Sequence, residues 1–301
     1  MKLAIAATPE VAIPTLDALL HSDHEIAFVI TKPDSKSGRG QKILPSPVAV
    51  WSHANKVGLL QPISINEIAD QLREIDLVVT IGYGSLIGEE ILTLPRFGFI
   101  NLHFSLLPRW RGAAPVQRAI EAGDEEVGVS VFRLDKGMDT GPIYRSARIS
   151  TPASSNTGEL LQTFALLGVG PVLESIAAIA NGEEPKAQDE NGATRAFKLS
   201  KEEGRLDWSQ EGPALVNKIK AFSPHPGAWT IFRDEKLIVE RAALGDQSIA
   251  VGAIVEVENM LYIGCRNGSV QIFNLRSAGK RSLSARDWLN GARLKPNEVC
   301  T

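Results

Sequence analysis

INLHFSLLPRWRG, Ile100 to Gly112, places a polar pair in an otherwise apolar run. Phe97, Phe99 and Ile100 read as the entry to a buried strand, and Asn101 and His103 follow two residues apart. Residues at i and i+2 of a strand face the same way, so a donating amide and a titratable imidazole stand side by side at a strand's C-terminal end. Ligands of open parallel sheets bind just beyond such ends. Leu106-Leu107-Pro108 stops the strand, because proline lacks the ladder donor and restricts the residue before it. Arg109 and Arg111 flank Trp110, and Gly112 precedes AAPVQRAIEAG, a helix with Pro115 in its first turn.

Taken alone, Asn101 and His103 read better as hydrogen-bonded structural residues, since most buried polar groups are simply satisfied. A second cluster shifts the balance. DKGMDTGPI, Asp135 to Ile143, follows the apolar run Val127 to Leu134, so another strand ends by delivering Asp135 and Asp139 into a glycine-containing loop. A base within reach of an orienting carboxylate is the minimal general-base unit. Asp135 itself reads as a loop cap.

Outward from these segments, strands alternate with helices. Residues 2–7 read as a buried strand, and Thr8-Pro9-Glu10 as a helix start with a capping hydroxyl. A helix to Leu20, a strand from Ile26 to Thr31, a helix from Pro47 to Lys56, a strand from Leu77 to Ile81, a strand near Ile143 to Ile149 and a helix from Thr157 to Ala180 complete the pattern. It is that of a Rossmann-like, doubly wound parallel sheet of the α/β class. The dinucleotide glycine fingerprint is missing from ATPEVA and incomplete at Gly82-Tyr83-Gly84, which argues against a nicotinamide cofactor.

KPDSKSGRGQKILPSP, Lys32 to Pro47, carries four cations against the single acid Asp34 and reads as a cationic loop able to close over a phosphate-bearing substrate. Residues 181–208 are polar and glycine-rich, a connector. Beyond them, short β-rich pieces follow: Trp229 to Phe232, Lys236 to Arg241, Ala253 to Val257, Leu261 to Cys265 and Val270 to Asn274. They fit a small OB-like β-barrel, with a last helix capped by Ser284. The expected division is a catalytic domain at 1–189, a linker at 190–208 and a barrel at 209–301.

The net charge of −3 is unevenly spread, −6 over residues 1–189 and +3 over 190–301, a weak pointer to a polyanion for the C-terminal part. The apolar runs Val48 to Trp51 and Leu77 to Ile81 fall far short of the roughly 20 residues of a membrane span. Two cysteines without metal-ligand spacing, and no apolar leader, fit a cytoplasmic protein with no metal.

With Asn101, His103, SLLPRWRG, DKGMDTG, the loop KPDSKSGRGQK and the β-rich tail, the chain resembles the methionyl-tRNA formyltransferases over essentially its whole length. The Asn, His, SLLP and Asp pattern is shared with other folate-dependent formyltransferases. What looks specific to the tRNA enzymes is the loop through GRG and PSP, with the barrel and AGKRSLSARDWLNG. The resemblance implies formyl transfer from 10-formyltetrahydrofolate to the α-amine of methionyl initiator tRNA. It implies Asn101, His103 and Asp139 as catalytic residues, with His103 either accepting the amine proton or holding the oxyanion. Ser105, Leu106, Leu107 and Pro108 would line the folate cleft, and Arg39 and Lys42, with the barrel, would meet the tRNA. Family precedent implies a monomer. Phe104 and His225 depart from the family, which more often has glycine or proline, and tryptophan, at these places. The alternatives are a formyltransferase for a nucleotide amino-sugar or other small amine, and a non-catalytic RNA-binding protein.

Overall fold

The computed structural model describes residues 1–37 and 42–301; the side chains of Lys36, Ser37 and Lys42 also lie outside the description. The chain divides into two compact units. The first comprises residues 1–112, 126–149 and 161–195, and the second 113–125, 150–160 and 196–301.

The first unit is built on a sheet of seven strands: β1 (Lys2–Ala7), β2 (Glu25–Ile30), β3 (Leu59–Leu60), β4 (Leu77–Ile81), β5 (Phe99–His103), β6 (Glu126–Arg133) and β7 (Ile143–Ser150), in the order β7-β6-β5-β4-β1-β2-β3. The pairings from β3 through β2, β1 and β4 to β5 are parallel, the doubly wound arrangement the alternating pattern predicts. Both faces are covered, so β1 and β4 are almost continuously apolar and buried. The β5–β6 pairing is antiparallel, with Ile100 opposite Arg133 and His103 opposite Ser130. That reversal corrects the expectation of two strand ends side by side: β6 ends beside the start of β5, and the chain after Leu134 must fold back to bring Asp139 to His103.

Two further expectations change. Thr8 does not cap a helix; its hydroxyl donates to the Tyr83 carbonyl at 3.4 Å, and a short 3-10 turn leads into the helix Ile13–Leu20. The segment 157–180 is two helices, Thr157–Leu167 and Val169–Ala180. At the break a Cβ added on Gly168 would come within 2.6 Å of a Leu102 methyl on β5, so a larger residue there would have to push that side chain aside. By length and composition 157–180 could cross a membrane, yet half of its most apolar window is buried inside the protein, Val172, Ile176 and Ile179 included. Ser46 caps the helix Pro47–Asn55, accepting from the Ala49 amide at 3.0 Å, with proline in the first turn.

The second unit holds an antiparallel sheet of β8 (Ala228–Phe232), β9 (Glu235–Gly245), β10 (Ile254–Val257), β11 (Met260–Cys265) and β12 (Gly268–Ser277), ordered β8-β9-β12-β11-β10. Its two edges are joined by the chain's last residues. Ile231 on β8 exchanges backbone bonds with Thr301 at 2.9 and 3.0 Å, while Cys300 donates to Gly252 at 2.7 Å and Ile254 donates to Glu298 at 3.1 Å. These bonds remove the open edges and make the sheet the small barrel the short strands predict. Burial pushes the Cys300 thiol up to about 12, so it is inert packing in this seam. Ser284 caps the helix Ala285–Ala292 as expected.

Candidate active site

β5 brings Asn101 and His103 to its C-terminal end on one face, as period-two geometry requires. Asn101 stands opposite Thr80 of β4, whose hydroxyl lies 2.8 Å from Asn101 Oδ1 and 3.1 Å from the Ile100 carbonyl. Among the described residues, Asn101 Nδ2 has no partner. His103 is 6% exposed, and the edge-on Phe132 ring lies 6.3 Å away between centroids. Its Nε2 donates to the Trp110 carbonyl at 2.9 Å, which leaves Nδ1 facing Asp139 Oδ2 at 3.7 Å.

The carboxylate arrives by loop rather than by strand. Asp139 adopts φ +55°, and its Oδ2 accepts from the Gly112 amide at 2.8 Å. Asp135 caps the same loop as expected, its Oδ1 accepting from the Gly137 amide and the Thr140 hydroxyl. Gln188 donates through Nε2 to the carbonyls of Asp139 at 2.9 Å and Gly141 at 2.7 Å, while its Oε1 accepts from Arg111 Nε and Nη2. Arg111 also clamps Glu190 through both Nη atoms, which holds that carboxyl below its usual range. Arg111 is therefore structural, and the Asp139 backbone is fixed from two sides.

SLLP forms a tight turn after β5. Ser105 Oγ donates to the Arg109 carbonyl at 2.7 Å, and the buried Ser130 hydroxyl bonds both the Ser105 carbonyl and the Leu107 amide. The Leu107–Pro108 peptide is cis. Leu107 is buried, and Leu106 lies against Gly128, where an added Cβ would come within 2.8 Å of it. Thr194 completes the frame, its hydroxyl accepting from the Trp110 amide at 2.9 Å. Beside the loop, a cavity of about 340 Å³ is lined by Arg111, Met138, Thr140, Glu190, Thr194 and Arg195, among others.

Asp139 is thus brought to His103, Asn101 shares the face of β5 that His103 occupies, and Ser105 to Pro108 follow that strand directly. Arg39 and the Lys42 side chain lie outside the described residues; around them the cationic segment is a two-stranded ribbon, pairing Ser35 with Leu44. The Phe104 ring turns to Phe164, 6.4 Å between centroids and tilted at 33°. His225 is exposed in its turn, so no core packing depends on it. No group of three or more metal-ligating side chains is found among the described residues. Sequence reasoning missed Thr80, Ser130, Gln188 and Thr194. Thr80 carried a signal, a polar residue within an all-buried apolar strand; Gln188 carried none.

Residues 1–169 match the formyl transferase family model, and residues 198–293 match that of the formyl transferase C-terminal domain. The methionyl-tRNA formyltransferase of Streptomyces coelicolor is 39% identical over 99% of both chains, and that of Coxiella burnetii 36% over 99% of this chain and 98% of its own. Among solved structures, an N-formyltransferase from Helicobacter canadensis, in complex with folinic acid and dTDP-3-aminofucose, superposes with TM-score 0.69 at 19% identity over 90% of this chain and 98% of its own. The methionyl-tRNA formyltransferase from Clostridium thermocellum gives 0.58 at 16% identity, over 85% and 100%. At such identities the structures speak for the fold alone, whereas the family models and the full-length relatives settle membership: this chain belongs to the formyl transferase family, with the methionyl-tRNA formyltransferases among its full-length relatives.

Proposed function

We propose that this protein transfers the formyl group of 10-formyltetrahydrofolate to the α-amine of methionine esterified to initiator tRNA. The observation that carries the reading is the His103 imidazole facing the Asp139 carboxylate at 3.7 Å, with the Asn101 amide two residues before it on the same face of β5, in a chain whose full-length relatives are named for this activity. The neutral amine attacks the formyl carbon, forming a C–N bond and a negative oxygen; collapse breaks the bond from that carbon to the folate nitrogen. Asn101 Nδ2 donates to the oxygen, a contribution of about 3–4 kcal/mol for a preorganised donor. With Nε2 committed to the Trp110 carbonyl, His103 takes the amine proton at Nδ1 and passes it to the departing folate nitrogen. Asp139 stabilises the imidazolium formed in between.

Leu106 and Leu107 supply an apolar wall for the folate ring, with Ser105 and Pro108 shaping the turn. Arg39 and Lys42 meet the acceptor stem, and the barrel, in the more basic part of the chain, holds the tRNA by charge and shape. We assign catalysis to 1–189, the link to 190–208 and RNA holding to 209–301, in a cytoplasmic monomer. The test offers the purified protein 10-formyltetrahydrofolate with methionyl initiator tRNA or with a nucleotide amino-sugar. Formylation of the tRNA is expected; formylation of the sugar amine alone would overturn the reading. Arg39→Ala is expected to weaken tRNA use more than donor use, and equal loss of both would remove Arg39 from RNA recognition.

A further inference from the structure

Thr80 is the one polar residue of β4, 3% exposed among Leu77, Val78, Val79 and Ile81, and it stands in register with Asn101. A primary amide is nearly symmetrical in shape and opposite in polarity at its two ends. Turned one way Asn101 offers N–H to the formyl oxygen, and turned the other way it offers a lone pair that repels the developing charge. Strand packing alone does not distinguish the two, so something polar must.

We propose that Thr80 is a positioning residue for formyl transfer: its hydroxyl proton, donated to Asn101 Oδ1, fixes the amide so that Nδ2 faces the reacting oxygen. The hydroxyl has a single proton and two acceptors within reach, Oδ1 at 2.8 Å and the Ile100 carbonyl at 3.1 Å. The turned amide would donate to Oγ1 only by sending that proton to the Ile100 carbonyl, along the longer of the two contacts. Thr80 is buried and Asn101 half-buried, so the bond is shielded from water on the Thr80 side. The proposal rests on Asn101 being the oxyanion donor, and its test separates the two claims.

Valine keeps the shape and strand preference of threonine and removes the donor. Single-turnover formyl transfer from 10-formyltetrahydrofolate to methionyl-tRNA is compared for Thr80→Val, Thr80→Ser, Asn101→Ala and Thr80→Val with Asn101→Ala, with melting temperature and tetrahydrofolate affinity measured on each. Thr80→Val is expected to slow the step about tenfold at unchanged tetrahydrofolate affinity, the value of one hydrogen bond. Thr80→Ser should recover most of that loss, and Thr80→Val should add nothing once Asn101 is alanine. A wild-type rate in Thr80→Val overturns the proposal. So does a loss that serine does not recover, or one that persists in full on the Asn101→Ala background, since either marks packing. A fast Asn101→Ala enzyme would remove the oxyanion role itself, whereas a slow one beside a fast Thr80→Val removes only the part given to Thr80.

Discussion

The two halves of the site reach the same point by different means. Asn101 and His103 ride on β5, a central strand whose neighbours β4 and β6 fix its register. Asp139 rides on a loop at positive φ, held by Gly112, Gln188 and, through Gln188, Arg111. A strand gives its side chains direction through the pleat alone. A loop has to borrow direction from distant parts of the chain, here from residues 49 positions away. The strand half is therefore set by local sequence, and the loop half by a network that can be taken apart one bond at a time.

The largest effect is expected where the strand half meets the reacting oxygen. Asn101→Ala should lower kcat by about 10²–10³ with donor affinity retained, measured by single-turnover kinetics; a change mainly in KM would show that the amide binds substrate rather than its transition state. On the loop half, Asp139→Asn keeps the shape and the acceptor for the Gly112 amide but removes the charge facing Nδ1. A loss of about 10² in kcat is expected, the low end of general-base contributions, and a rate equal to wild type would make Asp139 a loop anchor only.

Gln188→Ala tests whether direction in the loop is borrowed. It leaves Asp139 present but frees two backbone carbonyls and leaves the Arg111 guanidinium with Glu190 as its remaining side-chain partner. About a tenfold loss in kcat is expected, carried by Asp139, so that it shrinks sharply on the Asp139→Asn background. Full additivity would show that Gln188 serves the fold and not the carboxylate.

The smallest effect is expected in the second unit. In the barrel seam the Arg233 guanidinium, with the Lys295 amide second, holds the Glu298 carboxyl down to about 2 from an ordinary 4.5. A carboxyl depressed in the folded state contributes stability above pH 4.5 that is lost as the pH falls toward 2. Melting curves of the wild type should therefore drop through that window relative to those of Glu298→Gln, and parallel curves would show that the pair adds nothing to closing the barrel. Neither half of the site should respond at neutral pH.

How much was legible in the sequence follows the same division. Asn101 and His103 stood out as a polar pair on an apolar strand, and became site candidates only beside the Asp135–Asp139 cluster; SLLP stood out through its proline. The alternation of strands and helices gave the parallel core, and the short β-rich pieces gave the barrel. Strand direction at β6 was not legible, because a buried antiparallel strand reads like a parallel one when both faces are covered. The frame around Asp139 was hidden for another reason. Gln188 and Thr194 lie in a polar stretch that reads as connector, and nothing local distinguishes an amide that bridges two carbonyls from one that faces water. Thr80 could have been found by asking where a lone hydroxyl in a buried strand spends its proton.

The central claim is that the strand half and the loop half act on one transition state through His103. The most direct measurement is the double-mutant cycle of His103→Ala and Asp139→Asn in single-turnover formyl transfer to methionyl-tRNA. The account predicts that Asp139→Asn costs nothing further once His103 is alanine; two losses that multiply in full would contradict it, and would leave the carboxylate with a role apart from the imidazole it faces.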